Sequence, residues 1–286
     1  MEPVHYYFDE SGEKGFIGPN FSPLDIGLIA GIALPARLVP TFERECSRIL
    51  SGLDCQEVQK QHASALFNDG KNQDIKKEIL NFLKNTEELL LIYEAMYPLG
   101  FYKYEKSTQE ILSKHKPTNP RVKVSGNQSQ KRIYTELLKG IILRLDEVCR
   151  IENSTDIRMI SDRLDKGLLN EALNTLYYLQ QKVHVQGVGG FDTMTKRVVH
   201  GSIESSIEGF DTTVRYISDI LTETTQSPLT IVADIVSNTL YRHLKFVVEK
   251  ENSTRLHSNS AIDGFILKEK IAFIDDCYLM DTLYVP

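Results

Sequence analysis

The sequence predicts an α/β protein with one mixed sheet covered by helices. Short apolar or aromatic runs bounded by polar, Gly or Pro residues read as buried strands. Longer runs with apolar residues at three- and four-residue steps read as amphipathic helices. The two kinds interleave along the chain, which places helices on the sheet faces. With 286 residues, 41% hydrophobic and 25% charged, the chain can bury one sizeable core. No segment approaches the roughly 20 apolar residues of a membrane helix.

Taken in order, residues 4–9 (VHYYFD) are an aromatic strand stopped by a Gly-containing polar segment, so Asp9 falls at the strand's C-terminal end. Residues 25–35 are a second strand closed by Pro35, and 36–50 repeat apolar residues at near-helical spacing with Pro40 close to the start. Residues 55–71 are ambiguous. Ile75, Ile79, Leu80, Phe82 and Leu83 share one helix face, and 88–98 read as a third strand stopped by Pro98 and Gly100. Residues 99–127 have no period and read as a long loop. Ile133, Leu137, Ile141, Leu145 and Val148 define the clearest helix, over 129–149. A strand at 156–162 ends in Asp162, a helix follows Gly167, and 214–219 repeat the strand pattern. Ser227 and Pro228 then open a last helix that carries Asp234.

Three strands in a meander followed by two helix-linked strands is the ribonuclease H-like layout: a mixed five-stranded sheet flanked by helices. Residues 1–245 form the expected domain, with insertions at about 36–87, 99–127 and 180–213, and 246–286 form a C-terminal appendage. In that layout the first and fourth strands lie side by side and parallel. Asp9 and Asp162 then meet at one sheet edge, and the last helix brings Asp234 over them. Clustered carboxylates repel unless a cation compensates them, so the expected cofactor is Mg²⁺ or Mn²⁺ held by Asp9, Asp162 and Asp234, with two ions serving phosphodiester hydrolysis.

The residues also carry a resemblance. YYFDESG near the start, Asp162 in MISDRLD, and SPLTIVADIVSNTLYR near the end resemble the bacterial family catalogued as domain of unknown function 3800. Its members open with an Asp-Glu-Ser-Gly strand end, close with an Ala-Asp helix, and are regarded as ribonuclease H-like. The resemblance spans most of residues 4–245. It implies site roles for Asp9 and Asp234 directly, for Asp162 by its strand-end place, and for Glu10 and Ser11 as motif neighbours. It also implies a part in defence or mobile-element conflict. Thr230, Ile231 and Val232 depart from the family's Leu-Gln-Leu, as does the insertion at 180–213.

Each candidate has a plainer competitor. Asp9 is also a turn opener, Asp162 competes with Asp165 as the cap of the next helix, and Ser11 suits a turn. Asp234, set between Ala233 and Ile235, is harder to explain without a partner or a metal. Glu10 is a further catalytic candidate; His62 and Asn238, one turn past Asp234, are supporting candidates.

The net charge is -6, yet residues 103–139 hold nine Lys or Arg against three Glu. Lys114, Lys116, Arg121, Lys123, Lys131 and Arg132 are therefore the expected track for a nucleic-acid backbone, the alternative being a solvated surface. GVGG at 187–190 reads as a flexible turn, since it lacks dinucleotide-loop spacing. Cys46, Cys55, Cys149 and Cys277 lie far apart without ligand spacing, which fits reduced thiols in the cytoplasm.

The leading expectation is a metal-dependent nuclease acting on RNA or DNA. Two alternatives are a non-catalytic scaffold of the same fold and an ATP-dependent phosphotransferase of related core. Assembly as a homodimer or with a partner protein is left open.

Overall fold

The computed structural model describes residues 2–53, 63–67, 72–114, 122–125, 131–152, 154–181, 184–205, 213–223, 226–252 and 258–272. Its main sheet has the order β3-β2-β1-β5-β8. The strands are β1 (Val4–Gly12), β2 (Gly27–Pro35), β3 (Leu90–Met96), β5 (Ile157–Asp162) and β8 (Ile217–Glu223). β1, β2 and β3 pair antiparallel, while β5 joins β1 and β8 joins β5 in parallel. The structure is thus α/β, with a five-stranded mixed sheet flanked by helices.

Alternation along β1 divides the core. Tyr7 belongs to a cluster with helices α1 (Val39–Leu50), α3 (Gln73–Asn85) and α7 (Pro228–Glu251), whereas Tyr6 and Phe8 belong to a second with α5 (Ile133–Glu152) and α6 (Lys166–Leu179). β2 is buried on both faces from Gly27 to Leu34, so it reads as a continuous apolar run rather than an alternating one. α7 begins with a capping box: Ser227 Oγ accepts from Thr230 N, and Thr230 Oγ1 accepts from Ser227 N. Residues 229–237 of α7 are buried without interruption because the helix lies between the sheet and α1.

Three expectations need correction. Residues 99–127 are not a long loop: Pro98 opens helix α4 (Pro98–Lys114), where the missing N–H costs nothing, and β4 (Val122–Ser125) follows. GVGG is not a turn but the middle of strand β6 (His184–Asp192), which pairs with β7 (Arg197–Ser205) and β4 in a separate three-stranded sheet. The last strand runs Ile217–Glu223, several residues later than 214–219.

Two one-turn helices complete the secondary structure, α2 (Ala63–Leu66) and α8 (Ser258–Ala261). After α8 the chain packs Ile262, Phe265, Leu267 and Ile271 onto the α7-side core, and Ala272 N donates to Leu91 O at 2.9 Å. Cys46 and Cys149 are buried free thiols, and burial pushes Cys46 up to about 12. Cys55 and Cys277 lie outside the described residues. Among the described residues no helix is long and apolar enough to cross a membrane.

Candidate active site

β1 delivers four consecutive residues, Asp9 to Gly12, to the C-terminal edge of the sheet, and its pleat sorts them by face. Asp9 and Ser11 follow Tyr7 toward α7, and Glu10 follows Phe8 toward α5. On α7, Asp234, Ser237 and Tyr241 fall on one stripe at i, i+3 and i+7. The two sets match. The Asp9 and Asp234 carboxyls interact with one another at the buried end of β1. Ser237 Oγ donates to Ser11 Oγ at 3.0 Å. Gly12 has φ +75°, and a Cβ there would lie 2.3 Å from Ile26 O and 2.5 Å from Tyr241 Cε2. Only glycine allows that backbone and that approach of α7 together.

Two buried carboxyls that face one another repel when both are charged, so a proton or a cation is favoured beside them. Burial of the carboxyl pushes Asp9 well above the usual carboxylate range; Glu10 and Asp234 add to this, and Lys14 only partly opposes it. Glu10 has a different environment. Its Oε1 accepts from Lys14 Nζ at 2.5 Å, and it faces the side of Tyr134, a 1% exposed phenol whose hydroxyl has no protein hydrogen-bond partner. Burial first, then Glu10, Asp9 and Asp165, push that phenol far above its usual range.

Asp162 ends β5 beside Asp9. The parallel ladder pairs Tyr7 with Ile160 and Phe8 with Ser161, so the next register position sets Asp9 against Asp162 on the α7 side. The Asp162 side chain is 17% exposed, with Arg163 Nε 3.7 Å from its Oδ1. Its competitor Asp165 is the helix cap, accepting from Leu168 N at 2.9 Å. Among the described residues, no three His, Cys, Asp or Glu are gathered closely enough to enclose a metal ion. Asp9 and Asp234 touch, and Asp162 borders them in register without closing a cage.

Asn238 is half-buried on α7. His62, Lys116 and Arg121 lie outside the described residues; Lys114 closes α4, and Lys123 is in β4. Lys131 pairs with Glu105 at 2.6 Å. Arg132 Nε lies 3.5 Å from Glu171, and its guanidinium sits 4.6 Å from the Phe16 ring centroid. Part of the expected phosphate track is therefore already engaged with acids.

Two site residues escaped the sequence reading. Ser237 looks like an ordinary Ser in an apolar helix; its signal was the three-residue step from Asp234. Glu223 lies opposite Asp162 in the β5–β8 ladder, and its Oε2 accepts from Ser227 N and Thr230 Oγ1, both at 3.3 Å, tying β8 to the start of α7. Placing the strand at 214–219 hid it.

An all-carboxylate oxygen set suits a hard divalent cation, which can take the place of a proton beside two buried acids. By that donor chemistry the residues present fit Mg²⁺ or Mn²⁺. No family model matches the chain, and no curated protein matches it.

Proposed function

We propose that the protein is a divalent-metal-dependent nuclease of the ribonuclease H-like fold, hydrolysing phosphodiester bonds in RNA or DNA. The Asp9–Asp234 contact at the C-terminal edge of β1 carries the proposal, since two buried carboxyls in contact are costly unless they serve a ligand. The sheet order, with three antiparallel strands and then two parallel ones, is compatible with that fold. Kinship with the family of unknown function 3800 rests on the same Asp-Glu-Ser-Gly and Ala-Asp segments.

Asp9 and Asp234 would hold the metal, with Asp162 as the third oxygen donor from the neighbouring strand. When bound, Mg²⁺ or Mn²⁺ supplies Lewis acidity and a nucleophilic water at neutral pH. The chain's own residues prepare the place for it. The Ser11–Ser237 hydrogen bond and the close packing of Gly12 on Tyr241 fix the end of β1 against α7. Glu223 fixes the first turn of α7, two turns before Asp234. Lys14 pairs with Glu10 on the other face, apart from the Asp9–Asp234 pair on the α7 side.

The test is cleavage of labelled single-stranded RNA, single-stranded DNA and duplexes in Mn²⁺, Mg²⁺ or EDTA, for wild type and folded Asp9→Asn and Asp234→Asn. Metal-dependent cutting that both variants lose supports the proposal. A folded wild type that neither cuts nor binds metal overturns it in favour of a scaffold.

A further inference from the structure

The strands β4, β6 and β7 pack mainly on one another. Across its three strands the ladder aligns Lys123, Phe191 and Val198 in one row, and Ser125, Gly189 and His200 two residues on along the same face. Phe191 is 42% exposed and Val198 65%.

The hairpin tip is rigid and basic. Asp192 Oδ1 accepts from Met194 N at 2.8 Å and from Thr195 N at 3.2 Å, and Lys196 adopts φ +59° with its N–H donating to Asp192 O at 2.9 Å. This fixes an exposed Met194 (66%) next to exposed Lys196 and Arg197. The two chain stretches that carry the sheet, residues 111–135 and 181–205, hold nine Lys or Arg and two Asp or Glu, in a protein whose net charge is -6. One of those two acids is Asp192, whose carboxylate is occupied with shaping the tip. After β4 the chain returns to the body at Lys131–Ile133, where Ile17 N donates to Lys131 O and Ile133 N to Gly15 O, directly after the Asp9–Gly12 segment.

We propose that the β4-β6-β7 sheet is a binding platform for single-stranded nucleic acid, with Phe191 as a base-stacking side chain and Lys196, in the turn at the strand end, as a phosphate contact. The charge contrast selects a polyanion over a protein surface of mixed sign. The exposed ring selects single strands, because only an unpaired base can leave its stack to lie on an aromatic side chain. The platform extends the nuclease proposal by naming its substrate class, and it does so with residues the cleavage chemistry does not use.

Binding is measured in EDTA, so that it is read apart from cleavage: fluorescence anisotropy of labelled mixed-sequence 20-mers as single-stranded RNA, single-stranded DNA and duplex, across a salt series. Wild type is expected to bind a single strand more tightly than the duplex, and the RNA and DNA arms say which single strand is preferred. Phe191→Ala should weaken single-strand binding by about tenfold with little change in salt slope. Lys196→Glu should weaken it and lower the slope by about 1. Absence of wild-type binding at low salt, duplex binding as tight as single-strand binding, or a folded Phe191→Ala protein that binds as wild type each overturns the platform. Binding without cleavage in metal leaves the platform standing and overturns only the nuclease.

Discussion

Asp9 and Glu10 are neighbours on one strand, yet the two faces of the sheet treat their charges oppositely. On the α5 face, Glu10 meets Lys14 Nζ at 2.5 Å. On the α7 face, Asp9 meets another carboxyl, under burial that already disfavours its charge. One face sets its acid against a cation from the chain, and the other sets its acid against a second carboxyl. Acids of the same motif are not equivalent: the strand's pleat decides which one meets a cation of the chain and which one meets a second acid.

The strongest test of that contrast is catalytic. Asp9→Asn and Asp234→Asn should each lower metal-dependent cleavage by at least about a hundredfold, the scale on which metal sites respond to loss of a direct interaction. Glu10→Gln should leave it within a few-fold, since its partner is a half-exposed Lys14 and such ion pairs contribute little. Equal losses in rate for Asp9→Asn and Glu10→Gln would break the distinction between the faces.

Stability should show the same asymmetry. Asp9 is raised above its ordinary value of 3.8, so the folded protein keeps a proton that the unfolded chain releases. Its contribution to stability is full below the ordinary value and is lost as pH rises through the raised one. In EDTA, wild type should therefore lose stability on going from mildly acid to alkaline pH. Asp9→Asn, whose amide stays uncharged at every pH, should lose less. Added Mn²⁺ should restore wild type at alkaline pH, by about 2.7 kcal/mol at a hundred times its Kd, and should leave Asp9→Asn nearly unmoved. Thermal melts at several pH values read both effects, and a wild type indifferent to Mn²⁺ would count against a metal at this pair.

A more local effect concerns the turn that brings the faces together. Gly12→Ala puts a Cβ against Ile26 O and Tyr241 at φ +75°, which should cost about 1–3 kcal/mol in a denaturant titration. If the variant is as stable as wild type, the close approach of α7 to the end of β1 is not as described.

Which parts of this were legible in the sequence follows from what generates a one-dimensional signal. Asp162 at the end of β5, the α5 stripe and the Ser227-Pro228 start of α7 are local patterns and stand where the spacing put them, whereas β1 runs past Asp9 to Gly12. Pro98 and Gly100 mislead because Pro stops a strand and starts a helix with equal ease. β6 hides because three glycines in its sequence leave no alternation to read, and its pairing with β4 spans more than sixty residues. Within the site, the separation of Glu10 from Asp9 was legible in the strand period itself. Ser237 and Glu223 needed the tertiary contact, since their partners are Ser11, 226 residues away, and the cap of the following helix.

The smallest effect probes the least obvious of these contacts. Ser237 is fully buried, and its hydroxyl donates to Ser11 one turn from the Asp9–Asp234 contact. Ser237→Ala removes one hydrogen bond and leaves the Ser11 hydroxyl without it, which should cost about 1 kcal/mol. Because Ser11 and Asp9 lie on the same face of β1, the variant should also loosen the end of the strand against α7 and weaken Mn²⁺ binding by several-fold without abolishing it. Ser11→Ala should do the same, and the double variant should cost less than the sum of the singles, because both remove one shared bond. Strict additivity of the two in a Mn²⁺ titration would show that the hydroxyl pair does not couple α7 to the acid it faces.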